Sequence, residues 1–130
     1  MTDAIRAHAP EGHSELLAIS NAVVRLYKEQ LGRGPTKARS HHAGRDIIVV
    51  SLEKTLAPAE RKLVELGEAR RMAESRLLTM QGAEPEFCKA IEEITGRKVR
   101  AMVCGMSAES DISTKVFYLE PDEHAGGDTT

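Results

Sequence analysis

The sequence has no tryptophan and only two Tyr and two Phe among its 130 residues. An interior without large rings must be filled by Leu, Ile, Val, Met and Ala, so an aliphatic core is expected. Long apolar runs are also missing. None exceeds four residues, as in Ile47–Val50, far short of the roughly 20 residues that cross a bilayer. No amino-terminal apolar stretch precedes a small-residue cleavage site, so a secretory signal is not expected. The two cysteines, Cys88 and Cys104, stand far apart and neither belongs to a C-x-x-C pair. A cytoplasmic protein with reduced thiols is the expectation.

Catalytic signatures are absent as well. There is no nucleophile elbow, Walker loop or Rossmann glycine pattern. Neighbouring carboxylates occur only as Glu92-Glu93 and in the carboxy-terminal tail. No catalytic residue and no cofactor is therefore assigned, and an enzyme is not expected. Charge of one sign is lacking too: the formal net charge is −2. Asp3 and Glu11 against Arg6, and then Asp122, Glu123 and Asp128, supply that acidity, so residues 14–120 carry a slight basic excess. Such an excess is too small to be a nucleic-acid footprint unless it is clustered.

What is present reads as one α+β domain over 14–121, between a flexible lead (1–13) and a disordered acidic tail (122–130). Ser14 is a candidate N-cap. Leu16, Ile19, Val23, Leu26 and Tyr27 then follow at helical spacing to Gly32, giving a helix over 15–31. Gly32-Arg33-Gly34-Pro35 is a turn into an extended segment. Residues 36–42 alternate as a polar strand of edge character. Ile47–Leu52 reads as a central strand, and the two make a hairpin. Leu63, Leu66, Ala69, Ala73, Leu77 and Met80 keep a 3.6 period, predicting one helix over 58–81 with a weak point at Gly67. A short helix at 86–95 stops at Gly96. Strands follow at 98–105 and 112–120. The order α-β-β-α-α-β-β predicts a four-stranded, mainly antiparallel sheet with helices on one face. Its other face would leave Ile47, Val49 and Met102 partly exposed, and a homodimer would cover them.

Candidate sites are few. His41 and His42 are adjacent in a strand and so point to opposite faces, which prevents joint chelation; no metal site is assigned. Cys88 and Cys104 read as small apolar residues. The Gly32–Pro35 turn runs from a helix C-terminus into a strand, the reverse of a phosphate loop, and Arg33 there suits the last helix carbonyls. Arg33, Lys37, Arg39, Arg76, Arg97 and Lys98 are the candidate ligand-binding residues, for an anionic ligand or nucleic acid. Arg61, Lys62, Arg70, Arg71 and Arg76 interleave with Glu60, Glu65, Glu68 and Glu74, and this mixing reads as a solvated face.

Four stretches, SNAVVRLYKEQLGRGPTKAR (20–39), LAPAERKLVELGEARRMAESR (56–76), IEEITGRKV (91–99) and VFYLEP (116–121), resemble a bacterial family labelled MpsC-like. The GRGPT turn and the ITGRKV entry to the third strand are its most specific parts. The label denotes the third component of a sodium-translocating, membrane-potential-generating system. The resemblance implies a link to a membrane ion or inorganic-carbon transport system, and carries over no catalytic residue, cofactor or ligand. The functional expectation is a soluble accessory or regulatory protein. It would be homodimeric and dock to a partner at a membrane-associated assembly, without inserting itself. The alternative is a binding module for nucleic acid or an anionic ligand using Gly32–Arg39.

Overall fold

The computed structural model describes residues 11–121, with side chains from Ser14 onward. Of the expected lead over 1–13, residues 1–10 lie outside the described residues, as does the expected tail over 122–130; residues 11–13 are helical. The described residues form four helices and four strands, in the order α1 (Glu11–Leu31), β1 (Lys37–His42), β2 (Ile47–Glu53), α2 (Pro58–Glu65), α3 (Ala69–Gly82), α4 (Glu84–Thr95), β3 (Val99–Ser107) and β4 (Ile112–Leu119). The strands form one antiparallel sheet in the order β1-β2-β4-β3. The polar strand β1 is thus at an edge and the apolar β2 is central, as their compositions predict.

The helices differ from the sequence reading at three points, the last helix starting at Glu84 rather than at residue 86. The first helix starts at Glu11, so Ser14 lies inside it rather than capping it. The periodic segment 58–81 is two helices, not one. Gly67 adopts φ +84°, in the left-handed region that glycine enters without a Cβ penalty. The amide of Gly67 donates to the carbonyl of Val64 at 3.0 Å, and that of Glu68 to Leu63 at 2.9 Å. This paired closure is a Schellman motif, which satisfies the last carbonyls of α2 and turns the chain. The 3.6 period survives the break because each helix keeps its own apolar side. Gly96, at φ +72°, ends α4 in the same left-handed region.

Burial alternates along the two central strands. Ile48, Val50 and Leu52 of β2 and Ser113, Lys115, Phe117 and Leu119 of β4 face the helices and are buried. The core closes on them with Ile19, Val23 and Tyr27 of α1, Met80 of α3, and Phe87 and Ile91 of α4. A smaller cluster, Leu56, Met72 and Ala108, sits under the α2–α3 corner. Helix α2 itself buries none of its residues.

Candidate functional site

The core face of the sheet carries an unexpected line of polar side chains. Ser113 and Lys115 occupy β4 positions in phase with Phe117 and Leu119, so the pleat turns them inward. The hydroxyls of Tyr27 and Ser113 are hydrogen-bonded at 2.7 Å. Burial raises the Tyr27 pKa above its ordinary value, and the Ser113 hydrogen bond only partly opposes this. Lys115 is wholly buried. Its ammonium donates to Cys104 Sγ at 3.4 Å and lies 4.3 Å from the Phe87 ring centroid and 5.1 Å from that of Tyr27. The two rings meet edge to face at 5.9 Å. Removal from water pulls the Lys115 pKa below the usual lysine value. Aromatic faces and a thiol are weak substitutes for a carboxylate.

A second buried cation lies beside the first. Arg76 of α3 projects under the β2–α2 connection with its side chain fully buried. Nε donates to Glu60 Oε2 at 2.8 Å, and Nη2 donates to Glu60 Oε1. Nη1 reaches the Thr55 hydroxyl and Nη2 the Thr55 carbonyl, both at 3.0 Å. Glu60 Oε1 also accepts the Ala57 amide at 2.8 Å, closing the first turn of α2. Burial pulls Arg76 down, but the Glu60 hydrogen bonds and charge outweigh it and hold the guanidinium above its usual value. Burial pushes Glu60 up, yet Arg76 and the Ala57 amide leave its pKa lowered. Asp111, in the β3–β4 turn at φ +54°, accepts the amides of Thr55 at 2.8 Å and Leu56 at 3.1 Å. The Thr55 corner is therefore tied down from α2, α3 and the far hairpin together.

The six basic residues picked from sequence do not converge. Arg33 and Arg76 reach neighbouring residues, since Arg33 Nη1 donates to the Leu56 carbonyl at 3.1 Å. The Arg76 guanidinium is engaged through all three nitrogens, that of Arg33 through Nη1. Lys37 and Arg39 lie exposed on the helix-free face of β1. Arg97 is at the opposite end of the sheet. There it clamps the β1–β2 turn to the end of β4 through the Arg45 carbonyl at 3.0 Å, the Glu120 carbonyl at 2.7 Å and an ion pair with Asp46. Lys98 beside it is exposed. Sequence reasoning missed Glu60, Asp111 and Lys115. For Lys115 a signal existed: two and four residues before Phe117 and Leu119, it shares their face. Burial, with Glu84 and Glu92 adding to it, pushes the Cys88 pKa up to about 11, which disfavours the thiolate.

Residues 15–121 match the family described as Na+-translocating membrane potential-generating system (MpsC). The chain belongs to the MpsC family. No curated protein and no solved structure matches it. The family's name is that of a component of a membrane-potential system, and no helix among the described residues is long and apolar enough to cross a membrane. Nor, among those residues, does any group of three His, Cys, Asp or Glu come together to hold a metal ion.

Among the described residues of this MpsC-family chain, the surface without helix cover is the second face of the sheet. Ile47 and Val49 of β2, Val116 and Tyr118 of β4, and Ala101 and Val103 of β3 share it through the strand register. All are partly exposed, and Val103 is 53% exposed. Met102, expected there from sequence, belongs instead to the helix side, where it packs against the core. The irregularity between Val99 and Ala101 explains this: the register shifts at Arg100, so parity counted from the start of the strand does not carry through.

Proposed function

We propose that the chain is a non-enzymatic accessory or regulatory protein that acts through protein–protein contacts on a membrane ion-translocating assembly, from the cytoplasmic side, as a homodimer. The observation that carries this reading is the uncovered sheet face. A contiguous apolar strip across three strands is costly to leave in water, and a second protein surface removes it. The family name supplies the setting. The interior polar groups support a structural role, because Arg76, Glu60, Asp111 and Tyr27 are each engaged by other parts of the fold rather than turned toward a cleft. The alternative, an anion or nucleic-acid module in Gly32–Arg39, rests mainly on the exposed Lys37 and Arg39, since Arg33 gives Nη1 to the Leu56 carbonyl.

Sedimentation equilibrium tests the self-association. The expected mass is twice the 14.2 kDa of one chain, falling to a single chain for Val103→Glu. A monomer at every concentration overturns the dimer. Tagged chain crosslinked in its host is expected to co-purify with an integral-membrane ion-translocating protein. Recovery of no membrane protein overturns the accessory role.

A further inference from the structure

Strand β1 is an edge, and its backbone is only half used. The Ala43 amide donates to the Ile47 carbonyl at 2.9 Å, which makes Ala43 and Ile47 a hydrogen-bonded pair. Antiparallel pairs alternate, so Lys37, Arg39 and His41 direct their N–H and C=O groups to β2. The β2–β4 ladder agrees: the Leu119 amide donates to the Asp46 carbonyl at 2.8 Å, which leaves Val49 and Ser51 facing β1. Ala38, Ser40 and His42 therefore turn their N–H and C=O groups away from the sheet.

Beside this free edge runs a groove of about 270 Å³ between β1 and α1. Leu16, Leu17 and Ser20 of α1 form one wall, and the β1 segment Ala38, Arg39, Ser40 and His41 the other. The Ser20 and Ser40 hydroxyls bridge its floor at 2.6 Å. On the opposite face of the same strand stand Lys37, Arg39 and His41, all exposed. Lys37 lies across from Glu53, but Arg39 lies across from Ser51 and His41 from Val49, neither of which carries charge.

We propose that the β1 edge and its groove bind an extended peptide segment of a partner protein in which acidic and apolar residues alternate. The inference rests on the reading that this chain works through protein contacts, and names the chemistry of one such contact. An added strand pairs its backbone with Ala38, Ser40 and His42. Its residues opposite those three turn toward the groove and meet Leu16 and Leu17, so they are apolar. Its intervening residues lie beside Lys37, Arg39 and His41, so they are acidic. The same basic row disfavours a second copy of β1, because a two-fold edge pairing sets like charges side by side.

The probe is a fluorescent, end-blocked hexapeptide, Val-Glu-Thr-Glu-Val-Glu, with the Lys-for-Glu peptide as control. Anisotropy is expected to show binding of the acidic peptide only, weakening as salt rises, with the preference reversed in Arg39→Glu. In Ala38→Pro the ring removes an outward N–H and blocks strand addition without touching the β1–β2 ladder, so binding is expected to fall by about tenfold or more. Amide shifts in the wild-type chain should localise to Ala38, Ser40 and His42 and to Leu16, Leu17 and Ser20, and this readout needs no variant. No binding of the acidic peptide overturns the proposal, as do shifts elsewhere. A single-stranded oligonucleotide that displaces the peptide and is indifferent to Ala38→Pro overturns it in favour of a nucleic-acid surface. Edge-amide shifts that follow chain concentration without peptide overturn it in favour of a second copy. If the peptide fails while a membrane protein is still captured, only the edge groove falls; loss of the capture removes the accessory reading itself.

Discussion

Replacing Arg76 by methionine tests the account of how α2 is attached. The methionine keeps an apolar stem in the core and deletes the guanidinium. Three partners then lose their donor. The Thr55 carbonyl lies on a residue that is fully buried, and an orphaned buried polar group costs about 1–3 kcal/mol; the Thr55 hydroxyl still donates to Asp111 Oδ1 at 3.4 Å. Glu60 loses its cation but retains the Ala57 amide, and its side chain is 18% exposed, so water returns to part of it. Together these losses amount to about 3–5 kcal/mol, the range for breaking a buried pair from one side. That is a large part of the ~5–15 kcal/mol that holds a domain of this kind together. The loss should also be local in origin. With no buried residue of its own, and too short to be stable in isolation, α2 depends on the Glu60–Arg76 bridge. Urea denaturation gives the free energy. Hydrogen exchange under native conditions should show Pro58–Glu65 losing protection before α3. Arg71→Met is the control, because Arg71 is 80% exposed and its ion pair with Glu68 is on the surface; a change within about 0.5 kcal/mol is expected. A cost below about 1 kcal/mol for Arg76→Met, or loss of protection spread evenly over the domain, would refute the reasoning.

Two further predictions concern the interior and the helix break. Lys115 has a folded-state pKa below its unfolded value. Between those two values the unfolded chain binds more protons, so stability rises with pH there, toward about 10, and the desolvation cost is fully present at lower pH. Lys115→Met should flatten that rise in denaturation curves taken from neutral pH to about pH 10; an unchanged slope would show that Lys115 is not the group responsible. Gly67→Ala places a Cβ on a residue at φ +84°, and the expected destabilisation is about 1 kcal/mol. Stabilisation by this change, with a gain in helical circular dichroism, would mean that 58–82 prefers a single helix.

How legible the fold was depended on whether a feature is local. Strand alternation placed Ile48, Val50 and Leu52 on one face without any knowledge of partners, because the pleat is a property of the backbone. The edge position of β1 was readable from its charges, since Lys37, Arg39 and His41 tolerate only a solvated face. The break at Gly67 was visible only as a weak point. Its outcome turns on Glu60 and Arg76, which a continuous helix would hold about 24 Å apart and which the Schellman turn brings into contact. Among the six basic residues picked from sequence, burial and partner separated the structural Arg33, Arg76 and Arg97 from the exposed Lys37, Arg39 and Lys98. Neither burial nor partner is written in local spacing.

By itself the sequence determined the class, the element order, the aliphatic core and the family, because these follow from composition, period and punctuation along the chain. Only the tertiary structure decided that two cations lie inside, that Met102 faces the helices, and that one sheet face and one strand edge are left open by the described residues. Those outcomes depend on which segments meet. A buried charge such as Lys115 is tolerated only where distant residues, Phe87, Tyr27 and Cys104, come together around it.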